Sequence, residues 1–370
     1  MKSQARLAVR LVQARPSLAA SSAAVLPRQI HTTPASPATV SSIHGQGPPP
    51  EPPLPAADSI SQRIDRRKRQ ASMLQAAQEF RKSKTSSQYQ PLRKRFWKDV
   101  SVKEVDGALE VHLDARPLRH PTTKQIVRLP LSKPLLANAL ALEWDLLTSV
   151  QQATKQHLIP LTSLVCRAVD IGADDAADGQ IRENVVNMVM RYLDTDSLLC
   201  WAPPPNKYDD VPGQETLREK QEKAYNEIIG YLTTRVFPGV EIIPVLDGES
   251  LMPKSQSQIT TQIIQGWVSG LNHWELAGLE RAVLAGKSLL CAVRLVVEWS
   301  EGPAGTPSGV GAVQAGTKFG IEEAAKSSSL EVDWQIGNWG EVEDTHDVEK
   351  EDIRRQLGGV VLLISGTGRT

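Results

Sequence analysis

Two short stretches of the sequence contain residue types that often bind phosphate or metal ions. Gly286-Lys287-Ser288 is similar to the end of a phosphate-binding loop, but such a loop needs a glycine five residues before its Gly-Lys pair, and that position is Arg281. Asp194-Thr195-Asp196 could chelate a hard cation, although two carboxylates that close a helix more often form a cap or a turn. Neither stretch predicts an enzyme, and the sequence contains no GxSxG motif and no correctly spaced GxGxxG motif.

The stretch LEVDWQIGNWGEVED, residues 330–344, is the stronger candidate for a functional site. On a helical wheel its polar residues form one stripe, which contains Glu331, Gln335 and Asn338. Apolar residues border this stripe on both sides, and they are Leu330, Trp334, Val332, Ile336 and Trp339. Asp333 points away from the stripe, towards solvent. Because a desolvated carboxylate needs a partner, we expect Glu331 to have one.

Two interpretations of this stripe remain open. The first is a salt bridge or cap inside the protein. The second is a binding surface for another protein, since tryptophan is favoured at the energetic centres of interfaces. The acidic residues that follow, among them Glu343, form by themselves a solvated face.

The charge of the chain is unevenly distributed. Lys plus Arg and Asp plus Glu balance at 42 each, but residues 1–37 contain no acid. Their basic residues are Lys2, Arg6, Arg10, Arg15 and Arg28. An acid-free segment rich in Arg, Ser and Ala predicts a mitochondrial transit peptide over residues 1–37, and the sequence after Arg28 resembles a matrix cleavage site. We therefore expect a protein of the mitochondrial matrix.

The remaining composition excludes several classes of protein. Without the transit peptide the chain is mildly acidic, which argues against nucleic-acid binding. No apolar run approaches the ~20 residues of a membrane span. Three widely spaced cysteines and scattered histidines predict no disulfide, metal site or cofactor. Residues 38–92 combine a disordered, proline-rich linker with a basic segment that includes residues 63–69.

The elements that position these residues change character along the chain. Val100, Val102 and Val105 alternate before Asp106-Gly107, and Leu109, Val111 and Leu113 alternate after it, which predicts a β-hairpin; residues 126–129 predict another strand. From Pro134 the spacing becomes helical, with the apolar residues Leu135, Ala139, Leu142, Leu146 and Val150. Further helices are predicted near 160–171, 179–193, 214–236, 256–270, 274–298 and 319–356, with strand-like pieces at 197–202 and 240–246. We predict an α+β protein with a small β-rich N-terminal domain, 93–158, and a mainly α-helical domain, 159–366.

Several short motifs, in this order, resemble one family. They are Arg95-Phe96-Trp97-Lys98, the turn Leu113-Asp114-Ala115-Arg116-Pro117-Leu118, Ala141-Leu142-Glu143-Trp144, residues Pro160 to Leu164, Asp194-Thr195-Asp196, Lys287-Ser288-Leu289, and finally Trp334-Gln335 with Trp339-Gly340. Together they are similar to the mitochondrial ATP synthase assembly factor 2 family, the chaperones of the F₁ α subunit. The resemblance covers about residues 93–366, and residues 300–316 look like an inserted flexible loop.

The resemblance implies a chaperone, not an enzyme, with a helical bundle of orthogonal packing. It implies that the protein is a monomer that binds the unassembled F₁ α subunit and prevents its aggregation until the β subunit arrives. The implied partner-binding residues are Glu331, Trp334, Gln335, Trp339 and Glu343, and the implied structural residues are Asp114, Arg116, Glu143, Trp144, Asp194 and Asp196. Either Glu331 or Asp333 corresponds to the family's important glutamate, and the helical wheel favours Glu331.

Two alternative functions belong to other classes. A matrix enzyme would use Glu331 as a general acid or base, and would need a second catalytic group in a closed pocket. A matrix RNA-binding protein would use the basic segment 63–69, and would need that charge to extend over a folded face.

Overall fold

In the computed structural model, a β-hairpin lies near the start of the first long described segment. The described residues are 67–69, 72, 94–204, 215–250, 252–305, 318–342 and 344–367. The predicted transit peptide, nearly all of segment 38–92, most of the loop 300–316 and Glu343 lie outside them.

The hairpin joins strands β1 (Val100–Val105) and β2 (Ala108–Leu113), paired antiparallel from Val100 with Leu113 to Val105 with Ala108. Asp106 and Gly107 form the turn with positive φ angles of 51° and 75°, the backbone that a tight two-residue hairpin requires. Strands β3 (Arg116–Pro117) and β4 (Arg128–Pro130) both pair antiparallel with β2 and complete a four-stranded sheet. The predicted hairpin is thus confirmed.

Helices make up most of the remaining described chain. They are α1 (Pro134–Asp145), α2 (Pro160–Asp175), α3 (Gln180–Met190), α4 (Leu217–Arg235), α5 (Gln258–Ser269), α6 (His273–Gly286), α7 (Leu289–Trp299), α8 (Ile321–Ser328), α9 (Leu330–Trp339) and α10 (His346–Ile364). Short 3₁₀ helices follow α1 and α3, at Val150–Thr154, Gln156–Leu158 and Arg191–Asp194. Helix α6 packs against α2, α3, α7 and α10 and buries most of its residues. The architecture is α+β, as the sequence predicted.

Sheet and helices share one hydrophobic core, which runs from Trp97 to Ile364. The rings of Trp97 and Trp144 lie 5.5 Å apart, and the Trp97 indole N–H donates to the Trp144 carbonyl at 3.3 Å. At the other end of α1, the buried Lys133 ammonium donates to the Leu363 carbonyl at 2.8 Å and pairs with Glu301 at 2.7 Å. These contacts join the sheet, α1 and the last helix. The boundary between two domains at residue 158 stays a prediction.

The apolar stripe that predicted α1 is not the face that α1 buries. Leu135, Leu142 and Leu146 are exposed, and the helix buries Leu136, Ala137, Leu140 and Trp144 instead. Both sets have helical spacing, so the periodicity correctly predicted a helix but not its orientation. The stripe therefore lies on the surface.

Two predicted long helices are broken. The segment 274–298 divides into α6 and α7 at Lys287, which has a φ of 54°, and the Ser288 hydroxyl caps α7 by accepting the Cys291 N–H at 3.0 Å. The segment 319–356 divides into α8, α9 and α10, and the chain turns after α9 at Gly340, with a φ of 89°.

The two strand-like pieces are not strands. Residues 197–202 and 240–246 share one isolated parallel bridge, between Cys200 and Leu246, and a few backbone hydrogen bonds such as Trp201 N–H to Leu246 C=O at 2.8 Å. Their apolar side chains nevertheless enter the core, among them Leu198, Leu199 and Val245. Burial alone explains the apolar pattern that suggested a β-strand.

Candidate partner-binding surface

Helix α9 lies on the surface of the protein and packs against α4. None of its residues is fully buried, which distinguishes it from α6 and α7. Its tryptophans contact each other edge to face, with ring centroids 5.9 Å apart, and Trp339 is 62% exposed whereas Trp334 is half-buried. An indole so exposed is available to another molecule.

Glu331, Gln335 and Trp339 follow one another at four-residue spacing and therefore share one face of α9. Glu331 is exposed, and the Gln335 amide donates to its carboxylate at 3.1 Å. Among the residues that the structure describes, no cation forms an ion pair with Glu331. The expectation that apolar neighbours partly desolvate this carboxylate was wrong, because apolar neighbours on a wheel do not bury a helix face that no other element covers. Of the two interpretations left open, the internal salt bridge is not found among the described residues, and the binding surface stays a prediction.

Asp333 has the internal partners instead. Its carboxylate pairs with the Lys350 ammonium of α10 at 2.8 Å and accepts the Ser329 hydroxyl at 3.1 Å. The helical wheel placed Asp333 towards solvent, and this prediction was also wrong. A wheel describes one helix by itself, and it could not show that α10 lies beside Asp333. Asp333 holds α9 to α10, which leaves Glu331 as the carboxylate that faces outward.

The surface beyond α9 is apolar and acidic. Val342 and Val348 are 58% and 59% exposed, and the first turn of α10 contains the acidic residues Asp347 and Glu349. Lys287, at the break between α6 and α7, approaches Glu349 at 3.9 Å. The outward face of α9 and this adjoining patch together provide aromatic, amide and carboxylate groups on an open surface.

The other motif residues of the sequence shape the fold around turns and helix ends. Asp114 has a φ of 54°, and its carboxylate accepts the N–H groups of Asp99 and Lys98, which lower its pKa below the usual value. The Arg116 guanidinium lies over the Phe96 ring, 5.7 Å from its centroid. These contacts hold the entrance to the sheet.

Glu143 and Trp144 connect α1 to the start of α2. The Glu143 carboxylate accepts the N–H groups of Leu161 at 2.7 Å and Thr162 at 2.9 Å, so it caps α2. Burial raises the pKa of Glu143, and these hydrogen bonds oppose the rise. The Trp144 indole donates to the Thr162 hydroxyl at 2.9 Å.

Asp194 and Asp196 do not face a common site. Asp194 is exposed, whereas Asp196 is completely buried and accepts the N–H groups of Leu198 and Leu290, both at 3.0 Å. Burial raises the pKa of Asp196 to about 6. Within the described residues, no group of three or more His, Cys, Asp or Glu side chains could hold a metal ion.

The three cysteines are free, and two are buried: Cys166, whose pKa burial raises to about 11, and Cys291, whose pKa burial raises to about 12. Such thiols are poor nucleophiles at neutral pH. In the described part of the chain, no helix combines the length and apolar character of a membrane span.

Comparison with known proteins identifies the family. The family model described as ATP12 chaperone protein matches residues 94–233. Protein atp12, mitochondrial, of Schizosaccharomyces pombe is 31% identical over 286 residues, which cover 77% of this chain and 87% of that protein. The chain belongs to the ATP12 chaperone family. Protein ATP12, mitochondrial, of Saccharomyces cerevisiae is 35% identical over 280 residues, with 71% of this chain and 81% of that protein covered.

A solved structure of an ATP12 protein supports the fold. Atp12 from Paracoccus denitrificans aligns with a TM-score of 0.52 and 21% identity, over 73% of this chain and 97% of that chain. Membership of a chaperone family agrees with the predicted non-enzymatic role, and the mitochondrial names of the two yeast relatives agree with the predicted mitochondrial location. The outward face of α9 lies outside the segment 94–233 that the family model matches.

Two features of the structure were not visible in the sequence. One is the internal pairing of Asp333 with Lys350, 17 residues later in the chain. The other is a groove between α2, α6 and α10. The sequence shows two adjacent glycines at this groove, Gly358-Gly359, but they lie beyond the predicted helix 319–356, and only the structure places them inside α10.

Proposed function

We propose that this ATP12-family chaperone acts in the mitochondrial matrix as a monomer. There it binds the unassembled α subunit of F₁-ATPase and prevents its aggregation until the β subunit joins it. In this proposal the sheet region 93–158 and the helical region 159–366 are its two domains, and Glu331, Trp334, Gln335 and Trp339 contact the client.

The observation that carries the proposal is the outward face of α9. It presents a carboxylate, an amide and an indole that is 62% exposed, whereas a neighbouring carboxylate, Asp333, makes the contact with α10. Because α9 buries no residue completely, it contributes little to the hydrophobic core of the protein. An exposed tryptophan on such a helix therefore favours a role in binding another protein.

The physical task of such a chaperone fits this surface. A subunit of a ring exposes, before assembly, the interface that its neighbour will cover, and such interfaces self-associate. A chaperone must cover that interface and still be displaced by the correct neighbour. A small aromatic centre with an acidic rim suits both needs, because charges at a rim accelerate encounter more than they add affinity.

The experiment is an aggregation assay with the purified full chain. Isolated F₁ α subunit, isolated F₁ β subunit and an unrelated aggregation-prone protein are each diluted from denaturant, with and without the chaperone. Light scattering should fall strongly for α and remain nearly unchanged for the other two. Equal protection of all three would indicate a general holding chaperone and reject the proposed client.

A second measurement tests the compartment. Mitochondria are opened stepwise and treated with protease, and the protein should become accessible only when the inner membrane is disrupted. Digestion in mitochondria that have lost only the outer membrane would contradict a matrix location.

A further inference from the structure

A deep groove lies between α2, α6 and α10, and it includes no residue of α9. Its volume is about 670 Å³, and its lining includes Leu161 and Leu164 of α2, Arg281 of α6, and Gly358, Gly359 and Leu362 of α10. A second cavity of about 540 Å³ continues it along α2 and shares Gln156, Ser163, Leu164 and Arg281 with it. Together they exceed the roughly 300–1,000 Å³ of a small-molecule pocket and form a trough that suits an extended chain.

Two adjacent glycines keep the floor of this groove open. Apart from proline, glycine is the residue that least favours a helix interior, yet Gly358 and Gly359 lie in the middle of α10. Packing inside the protein does not require either of them. A Cβ atom on Gly358 would lie 3.7 Å from Ile321, and one on Gly359 would lie 3.8 Å from Leu164, both ordinary contact distances.

Gly278 of α6 shows the contrasting case. A Cβ atom there would approach the Ile364 side chain to 2.6 Å, so tight packing between α6 and α10 excludes any larger residue. No such collision occurs at Gly358 or Gly359. The absence of side chains at these two positions therefore leaves space above α10, where a bound molecule could approach the backbone.

The charges of the groove are not balanced. Arg281 and Arg355 line the 670 Å³ cavity, and none of its described lining residues is a carboxylate. Arg355 donates to the His157 carbonyl at 3.1 Å and pairs with Asp352. Arg281 is half-buried and forms no hydrogen bond or ion pair with the described residues. The pKa of Asp352 is lowered, against the effect of burial, mainly by hydrogen bonds from Arg355 and Gln356, and the charge of Arg281 adds a smaller effect.

Several charged side chains in the other cavities, unlike Arg281, are paired with side chains of opposite charge. Arg167, in the adjoining cavity, makes two hydrogen bonds of 2.8 Å to Glu280. The cavity beside α9, of about 400 Å³, contains Asp333 and Lys350 paired with each other at 2.8 Å. Since a guanidinium matches a carboxylate with two parallel hydrogen bonds, Arg281 is the cation that an incoming carboxylate would satisfy.

We propose that this groove binds a segment of the client polypeptide that carries apolar side chains and a carboxylate. The apolar side chains lie over Gly358 and Gly359, against Leu161 and Leu164, and the carboxylate pairs with Arg281. This proposal rests on the proposed function, since the client is the unassembled F₁ α subunit. It gives the chaperone a second contact, separate from the outward face of α9.

The first test is Gly359→Ala, measured in the full chain against isolated F₁ α subunit. The added methyl group fits the fold, so the variant should melt about 2–4 °C higher than the wild type. It should nevertheless bind the α subunit about tenfold more weakly, because the methyl group occupies the client's space. Gly266→Ala in α5 is the control, since a Cβ atom there meets nothing within 4 Å, and it should raise stability without weakening binding.

The second test removes the charge without filling the groove. Arg281→Gln should also bind the α subunit about tenfold more weakly, whereas Arg235→Gln, at the exposed end of α4, should bind as the wild type does. Overlapping peptides from the α-subunit sequence then locate the segment. The bound peptide should contain Asp or Glu, and replacing that residue by its amide should weaken binding to the wild type but not to Arg281→Gln.

The outcomes separate this proposal from the proposed function. If the wild type protects the α subunit and both groove variants protect it equally well, the groove proposal is rejected and the function stands. The groove could instead bind a fatty acid, tested with oleate, or a second copy of the chain, tested by self-association on dilution. If either interaction is lost in the groove variants while client binding is unchanged, the groove proposal is likewise rejected. If the wild type fails to protect the α subunit, both proposals are lost.

Discussion

Glu331 and Asp333 provide a matched pair of substitutions that separates client binding from folding. Both carboxylates lie in the first turn of α9, so Glu331→Gln and Asp333→Asn remove the same charge from nearly the same position. Each loses a similar interaction with the helix dipole, about 0.3–1 kcal/mol, which cancels in the comparison. The two variants differ in what else each carboxylate contacts.

The structure gives the size of that difference. Asp333→Asn loses the 2.8 Å ion pair with Lys350, whose side chains are 29% and 39% exposed, and weakens the hydrogen bond from Ser329. A partly exposed pair contributes about 0.2–1 kcal/mol after screening, and the hydrogen bond about as much. Glu331→Gln loses only an exposed contact with the Gln335 amide, which water replaces. We therefore expect Asp333→Asn to be about 1 kcal/mol less stable than Glu331→Gln.

The assay combines stability and function for both variants. Urea unfolding gives the two free energies, and suppression of α-subunit aggregation gives the binding. Glu331→Gln should fold like the wild type but lose protection of the α subunit, whereas Asp333→Asn should be less stable and still protect it at low temperature. A destabilised Glu331→Gln whose activity returns on cooling would refute the reasoning, and so would full activity of that variant.

Three further predictions concern the buried charges and the N-terminus. The pKa of Asp196 is about 6 in the folded protein and near 4 when unfolded, so its contribution to stability is complete below about pH 4 and is lost as the pH rises through 6. Relative to Asp196→Asn, the unfolding free energy measured by urea titration should therefore fall by at most about 3 kcal/mol over that range. Lys133→Met leaves the buried Leu363 carbonyl without its donor and the partly exposed Glu301 carboxylate without its cation, so urea unfolding should show a loss of about 1–3 kcal/mol; an unchanged midpoint would contradict the described contacts. N-terminal sequencing of the mitochondrial protein should find a mature start between residues 30 and 38, after Arg28, and an intact Met1 would reject the transit peptide.

Local patterns in the sequence were sufficient for the elements and for the family. Asp106-Gly107 predicted the hairpin because few residues other than Gly, Asn and Asp adopt the positive φ angles of so tight a turn. The spacing of apolar residues predicted most of the helices. Like the hairpin turn, helical periodicity depends only on residues that are close together in the chain. The ordered motifs from Arg95 to Gly340 led to a chaperone family that the comparisons then identified.

Tertiary contacts decided the orientation of those elements. Leu135 and Leu136 each belong to a stripe of helical spacing, and only the packing of the sheet against α1 buries the second and exposes the first. At the break near Lys287 the chain also passes close to α8, since a Cβ atom on Gly286 would lie 2.6 Å from the Ser328 hydroxyl. Helical periodicity contains no information about which neighbour a face will meet.

The candidate site follows the same division. The sequence by itself determined that residues 330–339 combine tryptophans with carboxylates on a helix. Only the tertiary structure decided that Asp333 turns inward to Lys350 and that Glu331 stays exposed, because the position of α10 relative to α9 depends on the whole core. Arg281 shows this most clearly, since its lack of a hydrogen-bond or ion-pair partner among the described residues results from the arrangement of three helices that are distant in the chain.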